Sequence, residues 1–233
     1  VVRSVVVAID GPSGSGKSST SRGAADRLGL RYLDTGAQFR AVTAWMLDHG
    51  VDVNDADAVA RNAGSPALVS GTNPLNPTIT VDGRDVAEII RTDAVTAAVS
   101  PVATVPEVRA RLLELQRSVI AESLEHGGIV VEGRDIGSVV WPDAQVKLYL
   151  TADAAARAAR RTAENGGGSV AATEAELLRR DAIDSSRTAA PLVVPEGAVH
   201  LDTTPYGLDE VVALVVDIVE QTMSQVTTQR ASS

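Results

Sequence analysis

Eight consecutive residues, Gly11, Pro12, Ser13, Gly14, Ser15, Gly16, Lys17 and Ser18, spell GxxxxGKS, and an apolar run over residues 5–9 leads directly into them. The glycines let successive backbone N–H groups turn inward around phosphate oxygens. Lys17 reaches the β- and γ-phosphates of a nucleotide, and the Ser18 hydroxyl is a ligand for Mg²⁺. A helix expected over residues 17–28 points its positive end at the same phosphates. Such a loop binds a nucleotide, but the rest of the chain decides whether the γ-phosphate goes to water, to a small molecule or nowhere.

Two groups of arginines bear on that choice. Arg40, early in a second expected helix, and Arg134, in the stretch Glu132-Gly133-Arg134-Asp135, both follow expected strands. They belong at the carboxyl edge where α/β sheets bind ligands. Arg157, Arg160 and Arg161 precede Gly166, Gly167 and Gly168, and Arg180, Asp184 and Arg187 recur at i, i+4 and i+7 on the next helix. Two Arg-rich helices joined by a Gly-rich loop read as a lid that brings guanidinium groups onto a transferring phosphoryl group. The same stripe also suits a solvated salt-bridge ladder, and Thr35 suits an N-cap as well as a phosphate ligand. Asp34 and Glu132 both end strands beside the loop, and either could hold a Mg²⁺-bound water.

The elements that must position these groups alternate. Strands are expected at residues 31–34, 129–132, 146–150 and 198–202, with helices near 35–49, 106–122, 154–163, 173–186 and 208–222. T-x-x-Q at Thr35 and Gln38, and Thr173 with Glu176, suggest capping boxes at two helix starts. Residues 65–100 change character, with Pro66, Pro74, Pro77 and an alternating run before an Asp82-Gly83 hairpin turn, which reads as a small β-rich insert. Short apolar strands separated by helices imply an α/β fold with a doubly wound, five-stranded parallel sheet. The tail from about residue 225 is expected to fray.

The chain has 233 residues and a formal net charge of −9, with Lys17 and Lys147 as its only lysines and no cysteine. Disulfides and cysteine-ligated zinc are excluded, and a cytoplasmic, monomeric, unprocessed protein without a membrane span is the expectation. The acidic balance argues against long nucleic acids as partners. GTPases add an NKxD-type guanine motif that is absent here, so a small-molecule kinase is the better fit.

Five blocks carry a family resemblance: IDGPSGSGKSS at residues 9–19, LDTGAQFR at 33–40, IRT at 90–92, EGRDIGSVVWPDA at 132–144 and RRDAIDSSRTAAPL at 179–192. In these blocks the chain resembles the bacterial cytidylate kinases, a family of nucleoside monophosphate kinases. The resemblance implies transfer of the ATP γ-phosphate to CMP or dCMP. It divides the chain into a CORE (1–66, 101–153 and 189–233), an acceptor-binding insert (67–100) and a LID (154–188). It implies that Thr35, Arg40, Arg134 and Arg187 hold the acceptor phosphate, that Ser100, Arg109 and Asp135 read cytosine, and that Arg180 and Asp184 contact the ribose. The donor site is then residues 11–18 with Ser19 and Arg157, and Lys17, Arg134 and Arg187 act on the transferring group. A sister kinase acting on UMP, AMP or a non-nucleotide acceptor such as shikimate is the alternative. Ala182 and Ile183 stand where some relatives carry charged residues.

Overall fold

A computed structural model describes residues 4–164, 166–187 and 190–231. Residues 1–3 and 232–233, assigned above to the outer CORE segments, lie outside the described residues, as do Asn165 and Thr188 of the LID segment and Ala189.

Five parallel strands form the central sheet: β1 (Val5–Asp10), β2 (Arg31–Asp34), β6 (Gly128–Gly133), β7 (Val146–Thr151) and β8 (Val199–Asp202), in the order β2-β6-β1-β7-β8. Alternation along β1 divides the packing. Val5, Val7 and Ile9 pack with Ala24 and Ala25 of α1 (Lys17–Leu28) and Val211, Val215 and Val219 of α8 (Leu208–Ala231). Val6 and Ala8 pack on the other face with Ile120 of α5 (Pro106–Leu124). A third core joins α2 (Thr35–Asp48), α3 (Ala56–Asn62) and α4 (Asp93–Val102) to the small antiparallel sheet β3 (Leu68–Ser70), β4 (Ile79–Val81), β5 (Arg84–Asp85). Leu112 and Ile120 of α5 sit in different cores, so this helix ties the insert to the main sheet.

The register aligns the strand ends that carry the chemistry. Asp10 lies opposite Gly133, and Asp34 opposite Glu132, so β1, β6 and β2 all end at one edge. The P-loop, the Arg134-Asp135 segment and the start of α2 leave from that edge side by side. Helices α6 (Ala154–Glu164) and α7 (Val170–Ser186) form an Arg-bearing pair beside it.

Several expectations are corrected. Asp34 caps α2, its Oδ1 accepting from Ala37 N at 2.9 Å, while the Thr35 hydroxyl donates to Glu132 O at 2.7 Å, so there is no Thr35/Gln38 capping box. Ser169 caps α7 through Ala172 N, four residues before the expected cap; Thr173 is already helical and its hydroxyl meets that of Thr162. A carboxylate or hydroxyl immediately upstream won both caps because the last β-region residue before a helix is the one whose side chain can reach N2 or N3. The insert is β-rich only to residue 85; α4 follows and carries Ser100 in its interior, and α3 was not anticipated. β8 is an exposed edge strand rather than a buried one. The Asp82-Gly83 turn is as expected, with φ of 51° and 77° suited to a type I′ hairpin. Helix α8 continues through the expected frayed segment to Ala231. Among the described residues, no helix is long and apolar enough to cross a membrane.

Gly11 has a structural task besides phosphate binding. Its φ is +148°, and a Cβ there would stand 2.0 Å from Leu150 O in β7. Gly29, the αL cap of α1 with φ +65°, has open space around its missing Cβ. Gly29→Ala should therefore cost only the αL strain, about 1 kcal/mol. Gly11→Ala adds a backbone clash, for about 3 kcal/mol, or about 6–12 °C in Tm. Thermal melts of the two variants check this; equal losses would show that β1 and β7 adjust freely at this crossing.

Candidate active site

The P-loop wraps back on itself. Lys17 Nζ donates to Pro12 O at 2.6 Å and lies 3.4 Å from Ser15 Oγ, which itself donates to Pro12 O at 3.1 Å. Gly16, with φ of 84°, makes the left-handed entry to α1. Burial and the nearby Arg134 guanidinium push the Lys17 ammonium below its usual range, opposed by the Glu132, Asp181 and Asp10 carboxylates.

Glu132 is the buried carboxylate at the loop. One oxygen accepts from Ser18 Oγ at 3.0 Å and the other from the Tyr32 hydroxyl. Burial, reinforced by Asp34, raises its pKa, and burial next to Glu132 raises that of Tyr32. Glu132 thus stands directly on the proposed Mg²⁺ ligand Ser18, whereas Asp34 spends an oxygen on the α2 cap. Both Tyr32 and this division of labour went unread in the sequence.

A cavity of about 660 Å³ joins the P-loop to the insert. Of the sequence-assigned residues it brings together Ser13, Gly14, Gly16, Lys17, Ser18 and Ser19 of the loop with Ser100, Arg109 and Asp135. Asp34, Thr35, Arg40, Glu132, Arg134, Arg180, Asp184 and Arg187 line it as well. Gly11, Pro12, Ser15 and Arg157 are not on its wall; Arg157 is buried beneath the loop and donates to Ser13 O at 2.8 Å. Arg22, Arg91 and Arg161 also line it. Neither Arg22 nor Arg91 was given a role in the sequence: Arg22 lies in the first expected helix outside any motif, and Arg91 stands in the IRT block without an assignment.

Arg109 pairs with Asp135, and its guanidinium lies 5.6 Å from the centre of the Phe39 ring. Burial raises the Asp135 pKa, and the Arg109 charge is the largest opposing influence. Arg40 donates to Ile90 O at 3.0 Å and Thr96 Oγ1 at 2.9 Å, which fixes it against the insert; burial, with Arg180 nearby, brings it down to about 10. Asp184 accepts from Arg134 Nε at 2.9 Å and pairs with Arg187 at 3.6 Å. Asp184 thus bridges α7 to the residue that follows β6, beyond what the alternative reading as a surface ladder would require, and Arg180 Nε has no hydrogen-bond partner among the described residues.

Asp10 holds the Arg134-Asp135 segment from below. Its two oxygens accept from Ile136 N and Gly137 N, each at 2.8 Å, at the start of a single π-helical turn over Ile136–Val140.

A nucleotide-binding loop facing a second cationic site across one cavity, on a parallel α/β sheet, defines a P-loop phosphotransferase. Comparison with known proteins narrows this. The cytidylate kinase family model matches residues 7–221. A curated cytidylate kinase of Streptomyces avermitilis is 57% identical over 94% of each chain, and one of Streptomyces coelicolor is 58% identical over 93% of each. The chain belongs to the cytidylate kinase family, whose members are nucleoside monophosphate kinases. Among solved structures, a gluconokinase of Sinorhizobium meliloti aligns over 98% of each chain with a TM-score of 0.51 at 13% identity, a likeness of fold alone.

Burial holds the Asp10 carboxyl up at about 6, above its ordinary 3.8, despite the two amide donors. The folded chain therefore binds this proton more tightly than the unfolded one. The contribution to stability is complete below 3.8 and is lost as pH rises through 6. Asp10→Asn cannot accept from both amides and should lose about 1–3 kcal/mol. Its Tm deficit relative to wild type should be larger at pH 4 than at pH 7, because only wild type gains from the proton. A deficit that stays constant across that range would show that Asp10 does not titrate there.

Proposed function

We propose that the chain transfers the γ-phosphoryl group of ATP to CMP and dCMP, with the P-loop as donor site and the Arg109-Asp135 end of the cavity as acceptor site. The observation that carries this reading is the Arg109-Asp135 pair beside Phe39 and Ser100, in the same cavity as Lys17 and Ser18. Cytosine presents an N4–H₂ donor that suits a carboxylate and an O2 acceptor that suits a guanidinium, and Phe39 offers an aromatic face. Arg109 opposes the effect of burial on Asp135, which favours the ionised, accepting form that cytosine requires.

The acceptor phosphate is assigned to Thr35, Arg40, Arg134 and Arg187, and the ribose to Arg180 and Asp184. Lys17, Arg134 and Arg187 neutralise charge on the group in flight, where catalysis consists mainly of positioning and electrostatic stabilisation. The donor phosphates are assigned to residues 11–18 and Ser19, with Arg157 supporting the loop turn from beneath. Residues 67–100 act as the acceptor-binding insert and 154–188 as the LID, on a CORE made of the rest. The Ser18 hydroxyl and the Glu132 carboxylate, 3.0 Å apart, are hard oxygen donors that suit Mg²⁺. No cluster of three His, Cys, Asp or Glu among the described residues offers a protein-only cage. Ser18 would hold the ion directly and Glu132, in preference to Asp34, through water, with phosphate oxygens completing the shell. Bound there, Mg²⁺ supplies charge neutralisation across the donor phosphates.

A coupled assay of ADP formation with ATP, Mg²⁺ and each nucleoside monophosphate tests the reading. CMP and dCMP should be preferred over UMP and AMP, and equal rates with all four would refute base recognition by this pair. Uracil places O4 where cytosine has N4–H₂, so an acceptor facing the carboxylate replaces a donor. Asp135→Asn, whose amide can present either group, should narrow the CMP-to-UMP ratio of kcat/KM by about tenfold or more.

Arg187→Ala should lower kcat at least as much as it raises KM for CMP, because its guanidinium serves the transition state. A change confined to KM would place Arg187 in ground-state binding only.

A further inference from the structure

Ser13 occupies a variable position of the P-loop pattern, yet three elements converge on it. Its N–H donates to Asp181 Oδ1 of α7 at 3.0 Å, its carbonyl accepts from Arg157 Nη1 of α6 at 2.8 Å, and its hydroxyl accepts from Arg134 Nη2 at 2.7 Å. Asp181 and Arg157 also pair with each other. The N–H, C=O and hydroxyl of one loop residue are thus taken by both lid helices and by the residue that follows β6.

Asp181 is the residue that closes this network. It accepts a main-chain donor 168 residues away in sequence while its other oxygen holds a guanidinium. The pair is not a solvated surface contact: the side chains of Arg157 and Asp181 are 7% and 16% exposed. An ion pair drawn out of water is sensitive to removal of either partner, because the charge left behind is buried and uncompensated. Three residues on, on the same side of α7, Asp184 holds Arg134 and Arg187. The helix therefore grips the P-loop through Asp181 and the arginine cluster through Asp184.

We propose that Asp181 is a positioning residue for phosphoryl transfer, which clips α7 to Ser13 and Arg157 of the loop and α6, and so sets Arg134, Arg180 and Arg187 at the correct height over the phosphates. The proposal rests on the kinase reading above. Asp181 itself is not on the cavity wall. Its effect passes through the spacing between the lid helices and the loop, where a displacement on the order of 1 Å can cost as much as a hundredfold in rate.

The test uses the full chain with Asp181→Ala and Asp181→Asn. Steady-state kinetics with ATP and CMP are combined with amide hydrogen exchange of the peptides covering Ser13, α6 and α7. Asp181→Ala should lower kcat by about tenfold or more while KM for CMP moves less than about threefold, and exchange should accelerate in all three peptides. Asp181→Asn keeps an acceptor for the Ser13 N–H but not the charge facing Arg157, and should recover part of kcat and of the protection. An unchanged or raised kcat in Asp181→Ala overturns the proposal, as does a fall in kcat that follows Tm with no local change in exchange. Wild-type enzyme that transfers nothing to CMP overturns the kinase reading instead; the exchange comparison does not depend on that activity.

Discussion

Holding many like charges in one place is the constraint on which the rest of this structure depends. The cavity wall carries nine cationic side chains and four carboxylates in a chain whose formal net charge is −9. Left unpaired, guanidinium groups this close would repel one another and drift into solvent. Several are instead tied to a carboxylate or carbonyl: Arg109 to Asp135, Arg134 and Arg187 to Asp184, and Arg40 to Ile90 O, while Arg157, off the wall and beneath the loop, pairs with Asp181. The carboxylates act as spacers. They fix the arginines relative to each other without neutralising the cavity, whose cations still outnumber them.

The spacers work because of how the sheet is ordered. With β1 between β6 and β7 and the ends of β1, β6 and β2 in register, the P-loop and the Arg134-Asp135 segment leave one edge as neighbours. Asp10 then locks the second segment to the strand that carries the first, through two amides. Helices α6 and α7 reach this edge through side chains: Asp181, Asp184 and the arginines those residues hold, and Arg160 on Thr203 after β8. The division suits a reaction in which one set of phosphate contacts must be ready before substrate arrives and the other must engage afterwards.

Much of this was legible in the sequence, for a physical reason. The P-loop, the short apolar strands and the Asp82-Gly83 turn are local signals, determined by residues within one or two turns of chain. The caps of α2 and α7 were misread because several hydroxyls and carboxylates near each start could serve, and only backbone conformation selects among them. Helix α4 was hidden by the β-like reading of the insert and by Pro101 near its end. Asp10, Tyr32 and Asp181 were missed for a different reason. Their partners lie 126, 100 and 168 residues away, and no spacing rule spans such distances. The resemblance to cytidylate kinases supplied names for the residues on the cavity wall, but not for the residues that hold them.

That distinction bears on Arg157. As a lone arginine ahead of a Gly-rich loop it suggests a direct contact with the donor nucleotide. Its burial, the carbonyl of Ser13 and the carboxylate of Asp181 give it a different load, because a guanidinium committed to a loop carbonyl and an ion pair has little freedom to follow a nucleotide. The planar fork lets one side chain hold two oxygens in a fixed arrangement, which a flexible ammonium does poorly. In a chain with nineteen arginines and two lysines, the loop carries one of the lysines, a compact point charge, while arginine holds the Ser13 carbonyl and the buried carboxylates around it. The same side-chain chemistry thus has two settings here: on the cavity wall it lines the space between loop and insert, and buried beneath the loop it holds the Ser13 carbonyl and the Asp181 carboxylate.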